Sequence, residues 1–338
     1  MVLVPFTTQN SLSIFSAIYT ACLVDMASEQ STSSSERLQS LKKWSQSVTV
    51  QEGRLKGLAF VPRDTDLFIV TTAKAGTTWL QQMVHQLRTG GDMEFTEITE
   101  VIPFLEYAYD LQQDLHAEQK VFPRCYKTHC WYDHCPKGGR YIVCLREPCA
   151  VAYSLFNFLK GWFFQPGEVS VADFLKVVWL NRGVPQSKSQ EPSYFHHLAS
   201  WWPHRNDPNV LLLFFEDLKE DLENGVRAVA EFMGITDERH IQVALERSSF
   251  SFMKQHEDKF DDNLMKVFLN KSKGLPNDAG KSSSKVYVGS SSEGRKMVPE
   301  VIQREIQETW ETVVAPVTGC VSYQELHRAW KEEKRKAK

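Results

Sequence analysis

The sequence predicts an α/β fold, a three-layer sandwich built on a mostly parallel central sheet. Three observations carry this. The runs DLFIVTT, YIVCL (141–145) and VLLLFF (210–215) have the unbroken apolar character of strands covered on both faces. Each run leads into an amphipathic helical pattern, and strands alternating with helices make a parallel sheet with helices on either side. The 338 residues are 42% hydrophobic and 24% charged, which suits a sizeable core and excludes disordered or collagen-like chains for the bulk of the sequence.

Residues 1–24 carry no charge, and their apolar heart SLSIFSAIYTACLV falls short of the ~20 residues of a membrane helix. No basic segment precedes it, as a signal peptide would require. MASEQSTSSSE, from Met26, reads as a second start with a polar lead-in. Residues 1–45 are therefore expected to be a disordered or targeting tail, 46–330 a single domain, and 331–338 (KEEKRKAK among 331–338) a charged tail. No stable membrane insertion is expected, and an organelle-targeting role for residues 1–25 is an open alternative to a plain cytoplasmic location.

The first strand runs into AKAGTT and then a helix with Leu80, Met83, Val84 and Leu87 on one face, stopped by Gly90 and Gly91. The second strand, 141–145, precedes Pro148, which suits a first helical turn, and a helix with Val151, Leu155 and Phe158 on one side. The third, 210–215, passes through Glu216 and Asp217 to a helix bearing Val226, Val229 and Met233, ended by Gly234. Two aromatic-rich irregular stretches, roughly 92–125 and 160–195, are expected to shape a ligand crevice at the strand ends. Lys/Ser/Gly-rich residues 271–296 read as a mobile basic loop, followed by a helix over about 298–312.

Five of the seven cysteines lie between Cys125 and Cys149, and an odd total cannot pair completely, so reduced thiols in a cytoplasmic protein are expected. His129, Cys130, His134 and Cys135 lack the paired spacing of a zinc knuckle, and no metal is expected. With 39 basic and 42 acidic residues the net charge is −3, so an anion site must be local, and no basic aromatic stripe points to nucleic acid.

That local site is KAGTTW (74–79). Gly76 permits close backbone approach, the amides of Thr77, Thr78 and Trp79 open a helix, the threonines add hydroxyls and Lys74 adds a point charge. It is a phosphate cradle without the GxxxxGK[ST] order of a Walker A loop.

Here the chain resembles the PAPS-dependent sulfotransferases of the cytosolic, small-molecule type, over roughly residues 45–328. FVPRDTDLFIVTTAKAGTTW is similar to that family's 5′-phosphosulfate strand and loop, and CLREPCAVAYSLFNF to its 3′-phosphate motif. YKTH (126–129), WWPHRNDPNVLLLFFEDLKED (201–221) and VTGCVSYQEL (317–326) match in the same order. The resemblance implies a sulfotransferase-type P-loop in a P-loop NTPase-like fold, PAPS as co-substrate, PAP as product and a small apolar or aromatic acceptor. It implies His129 as the base, Lys74 on the bridging oxygen that gains charge, and Lys127 on the sulfonate. It further implies Ala75, Gly76, Thr77 and Thr78 at the 5′-phosphate, and Trp79, Ser248 and Phe250 around adenine. Arg146 and Ser154 fall at the 3′-phosphate, joined by Lys285 and Gly289 of the late loop. Phe104, Tyr107, Trp162 and Phe163 suggest the acceptor pocket.

Departures are visible. Ala73 and Ala75 replace the family's proline and serine beside the lysine, and Phe215 replaces a tyrosine. SKVYVGSS (284–291) keeps Lys285 and Gly289 but loses the rest of the late motif, so weakened closure of this loop is expected. The family's dimer motif is not recognisable near 296–305, and no dimer is assumed. Two alternatives follow: a catalytically impaired nucleotide binder, and an ATP-dependent phosphotransferase with Asp217 toward its metal.

Overall fold

The structure, a computed structural model, describes residues 34–43, 51–281, 283–286 and 291–337. At its centre four parallel strands run in the order β2-β1-β3-β4, with β1 Leu67–Thr71, β2 Cys125–Thr128, β3 Arg140–Leu145 and β4 Val210–Phe214. Alternate side chains enter different cores. Phe68, Val70, Tyr141 and Val143 join one apolar cluster; Leu67, Ile69, Ile142 and Cys144 join another on the opposite face. Burial on both faces is why these strands read as continuous apolar runs rather than alternating ones.

The sequence reading missed β2. Cys-Tyr-Lys-Thr is short and carries a lysine, a residue depleted in strands, so no periodicity marks it. Its register against β1 (Leu67 opposite Cys125, Val70 opposite Thr128) fixes it at the sheet edge. The outer side of β2 is also bonded: Lys127 N–H donates to the Pro103 carbonyl (2.9 Å) and Leu105 N–H to the Lys127 carbonyl (2.9 Å). Phe215, expected to end the third strand, instead opens a helix over Phe215–Glu220.

Helix α1, Thr77–Thr89, buries Leu80, Met83, Val84 and Leu87 completely and ends at Gly90, whose φ of 67° lets its N–H close on Gln86. At ~1.5–3 kcal/mol per fully buried side chain, that face holds the helix N-terminus firmly over the strand ends. Helix α2, Pro148–Leu159, starts at its proline, with the Glu147 carboxylate accepting from the Ala150 N–H (2.6 Å). Helix α3, Leu222–Met233, buries Val226, Val229 and Met233 before Gly234. Helix α4, Asn263–Lys273, occupies the start of the expected basic loop, and a further helix spans Ser291–Met297, where Gly294 lies so near Ala150 that a Cβ would come within 2.7 Å of its Cα. The 271–296 segment is thus flanked by helices rather than a loop throughout; residues 282 and 287–290 lie outside the described residues.

Both expected tails need correction. A helix over 34–43 puts Leu41, 2% exposed, into the main core, so the fold begins before residue 46. The expectations for residues 1–33 lie outside the described residues. At the other end, helix α5, Tyr323–Ala337, runs straight through the supposed charged tail. Lys331 reaches Asp217 (2.8 Å) and Glu220 (3.0 Å), and Glu333 accepts from Asn206 (2.6 Å). Among the described residues no helix is long and apolar enough to cross a membrane.

Candidate active site

Each strand delivers a residue to one cavity at its carboxyl end. The loop after β1 brings Lys74 to Trp79, β2 brings His129, β3 brings Arg146 and β4 brings Phe215, around a volume of about 510 Å³. Crevices of α/β sheets form at this end because the loops there are free to vary while the strands fix their starting points.

In the anion loop Gly76 adopts φ 100°, and a Cβ there would come 2.9 Å from the Phe215 ring, so glycine is required both by backbone and by space. Lys74 also sits in the left-handed region, φ 71°, an uncommon state for a residue with a side chain. The first amides of α1 have no intrahelical acceptor and face this loop as donors for an anion. The Thr77 hydroxyl shares a hydrogen bond with that of Thr71, anchoring the turn to β1. Trp79 donates its indole N–H to the Ser248 carbonyl (2.7 Å) and meets Phe215 edge-on at 5.4 Å.

Arg146 donates to the Lys74 carbonyl (2.8 Å), lies 4.2 Å over the Phe215 ring, and leaves its Nε buried without a partner. A buried guanidinium with an unused donor beside an anion loop is arranged for a ligand oxygen. Lys74 Nζ rests 4.1 Å over the Phe158 ring; burial, then the charges of Lys285 and Arg146, bring its pKa down to about 7. Lys127 Nζ is 3.2 Å from Asp262 and 4.5 Å over Phe104; burial brings its pKa to about 8 despite that carboxylate. Lys285 pairs with the same Asp262.

His129 Nδ1 is 2.7 Å from the Thr71 carbonyl oxygen. A carbonyl only accepts, so Nδ1 holds the proton and Nε2 keeps its lone pair. Burial holds the imidazole pKa below its ordinary value, with Glu106 opposing, so the ring is neutral at neutral pH. Glu106, fully buried, accepts from the His129 backbone N–H (2.7 Å) and the Thr128 hydroxyl (3.0 Å), fixing the end of β2. Phe104 meets the imidazole edge-on at 5.0 Å.

Lys74, Gly76, Thr77, Thr78, Trp79, Lys127, His129, Arg146, Ser154, Phe250 and Lys285 all line the cavity, as do Phe104, Tyr107, Trp162 and Phe163. Phe250 is 49% exposed and so is not part of the apolar core. Ala75 and Ser248 depart from expectation. Ala75 is buried in the core, and Ser248 is buried with its hydroxyl unpartnered, serving through the carbonyl that holds Trp79. Gly289 lies outside the described residues.

Sequence reasoning missed Asp262 and the Arg182–Glu191 pair (3.3 Å), which line the cavity, and Glu106, which holds the His129 backbone. Nothing local marks them; only the fold brings residues so distant in sequence together. Asp217, the alternative metal ligand, accepts instead from His327 (2.7 Å) and is paired with Lys331. Among the described residues no group of three or more His, Cys, Asp or Glu is placed to hold a metal ion.

Comparison with known proteins bears on this geometry. The sulfotransferase domain family model matches residues 64–332. Sulfotransferase 1C2 of Homo sapiens is 30% identical over 217 residues, covering 59% of this chain and 69% of that protein. Sulfotransferase 1E1 of Homo sapiens is 30% identical over 209 residues, covering 59% and 69%. Among solved structures, retinol dehydratase in a complex with retinol and PAP superposes with a TM-score of 0.58 at 19% identity, covering 77% of this chain and 86% of that one. Mouse sulfotransferase SULT7A1 complexed with PAP gives 0.53 at 23% identity, covering 78% and 89%.

Proposed function

The chain belongs to the sulfotransferase family, and on that premise we propose that it moves a sulfonate group from PAPS to the hydroxyl or amine of a small apolar or aromatic acceptor, with His129 as base. The observation that carries the proposal is one cavity holding both the lone pair of His129 Nε2 and the cations Lys74, Lys127, Arg146 and Lys285.

In this reading the anion loop and α1 amides hold the 5′-phosphate, and Arg146 with Ser154 holds the 3′-phosphate. The acceptor oxygen attacks sulfur in line. Its proton passes to His129 Nε2 as the new O–S bond forms, while the S–O bond to the 5′-phosphate breaks and that oxygen gains charge beside Lys74. The products are the sulfated acceptor and PAP. Lys127 bears on the sulfonate during transfer. A neutral, pre-oriented imidazole suits this better than one already protonated.

The acceptor half is walled by Phe104, Tyr107, Leu155, Trp162 and Phe163. Such a wall favours the body of an apolar or aromatic alcohol and leaves polar contacts to the reacting end. Retinol and androsterone, bound by the retinol dehydratase of similar fold, are alcohols of this kind. The reading includes a cytoplasmic setting, in keeping with the six buried free thiols among the described residues.

The test is transfer from sulfonate-labelled PAPS to a panel of phenols, sterols and long-chain alcohols. Labelled acceptor and PAP should appear in equal amounts. Nucleotide binding without transfer to any acceptor would replace this reading with that of an impaired binder.

A further inference from the structure

Asp262 is a carboxylate at the edge of the cation cluster that the sequence motifs left unassigned. It is 2% exposed, stands at the start of α4, and lines the cavity. Its two oxygens lie 3.2 and 3.3 Å from Lys127 Nζ, and one of them also accepts from Lys285 Nζ. Three features set it apart from an ordinary structural aspartate.

An aspartate at a helix start normally turns its side chain onto the N2 or N3 amide. Asp262 makes no such cap, and its oxygens go to the two lysines instead. Its backbone sits at φ 51°, in the left-handed region, which residues with a side chain enter rarely, Asp and Asn more readily than most. The ion pairs are also buried, and a buried pair is weak as a stabilising device because both charges lose their water. Charge held at such a place, facing a reaction cavity, points to a use in the reaction.

The two lysines come from different parts of the chain. Lys127 lies on β2, two residues before His129, and Lys285 lies in the late segment, whose backbone N–H is further held by Asp261 (2.9 Å). We propose, building on the sulfonate-transfer reading, that Asp262 is a positioning residue: its carboxylate keeps the Lys127 and Lys285 ammonium groups aimed at the transferring sulfonate and ties the late segment to the strand that carries the base. The late motif of this chain has lost its arginine and first glycine, and the Asp262 anchor is what holds Lys285 at the cavity without them.

Burial raises the Asp262 carboxyl pKa, but Lys127 and Lys285 outweigh it and hold the group well below the usual range, so it stays ionised. The titratable groups around the pair are Glu97, whose Oε2 accepts from the Leu264 N–H, together with Asp261, Lys266, Lys74, Arg146 and the neutral imidazole of His129. Asp262 opposes the deprotonation of Lys127, which burial and Lys285 favour.

The test compares the full-length wild type with Asp262→Asn, a residue that tolerates left-handed backbone. Removing one negative charge from a cation cluster leaves PAP affinity unchanged or up to several-fold tighter. It lowers kcat at least ten-fold and moves the alkaline limb of the kcat–pH profile to lower pH, because Lys127 loses its counter-charge. Calorimetry in buffers of different ionisation enthalpy reads the same effect without turnover: the variant takes up more protons than wild type on binding PAP at pH 8. Unchanged kcat, pH limb and proton uptake in Asp262→Asn would overturn the inference while leaving the sulfotransferase reading intact. Failure of the wild type to bind PAP or transfer sulfonate would overturn both. Should Asp262→Asn not fold, Asp262→Glu is the second variant: intermediate kcat with wild-type PAP affinity supports the assignment, and equal losses of both overturn it.

Discussion

His129 Nδ1 lies 2.7 Å from the carbonyl oxygen of Thr71, so the last residue of the strand that leads into the Gly76 loop fixes the tautomer of the proposed base, just beyond the neighbouring strand. Parallel pairing of β1 and β2 makes this possible, because Val70 opposite Thr128 brings Thr71 and His129 to the same level at the sheet end. His129 and the loop that carries Lys74 and Gly76 are therefore set by one register, and a shift in either strand would misplace both.

His129→Asn keeps a polar side chain of similar reach but has no basic nitrogen. Turnover should fall by about 10²–10⁴-fold, the usual contribution of a general base, while the PAP dissociation constant stays within a few-fold of wild type. Steady-state kinetics beside calorimetry would check this, and retained turnover would remove the base assignment.

Arg146→Lys keeps the charge and loses the planar fork. If the buried Nε and the paired amines hold the 3′-phosphate, PAP should bind roughly 10- to 100-fold more weakly, about 1.4–2.8 kcal/mol, with AMP affinity little changed. An equal loss for both nucleotides would place Arg146 elsewhere on the ligand.

PAP affinity should depend on pH through Lys74. Its pKa in the free protein is brought to about 7 by burial, then by Lys285 and Arg146, so it is charged below that pH and neutral above it. An anion favours the charged form and raises the pKa in the complex, so binding takes up a proton. Affinity is then greatest below pH 7 and declines as pH rises through the free-state value toward that of the complex. Titrations at several pH values should show this slope, and Lys74→Met should flatten it.

Gly76→Ala should damage the loop twice, through the φ of 100° and through the Cβ placed 2.9 Å from Phe215. A destabilisation of about 1–3 kcal/mol is expected from strain of this kind, together with loss of PAP binding. Denaturant midpoints and calorimetry on the same variant measure the two effects.

Leu41→Ala tests the corrected boundary. With Leu41 buried in the core and lining the cavity, about 2–5 kcal/mol should be lost, read as a lower unfolding midpoint. A tail outside the fold would show no change.

Much of this architecture is legible in the residues themselves. The three apolar runs give three of the four strands, and the helical faces of α1, α2 and α3 follow from their spacing, because strands and helices buried against a core must repeat at their own periods. The tight turn into α1 is legible because Gly76 and the following threonines concentrate rare requirements in a few positions. What stays hidden is what depends on tertiary placement. β2 is too short and too polar to show a period, so Lys127 and His129 are visible only as a motif and not as a strand end. Asp262 reads like any aspartate before a helix until Lys127, 135 residues away in sequence, is seen against it. Leu41 lies in a polar stretch whose composition gives no hint that one side chain is buried, and α5 looks like a solvated tail because its pairing partners, such as Asp217 and Asn206, are far away in sequence.

The most direct measurement is metal-free calorimetric binding of PAP beside ADP and AMP. A clear preference for PAP is predicted, because the proposal gives Arg146 and Ser154 the 3′-phosphate that ADP and AMP lack. Equal or weaker binding of PAP, with ADP binding that depends on Mg²⁺, would contradict the assignment of this cavity to sulfonate transfer.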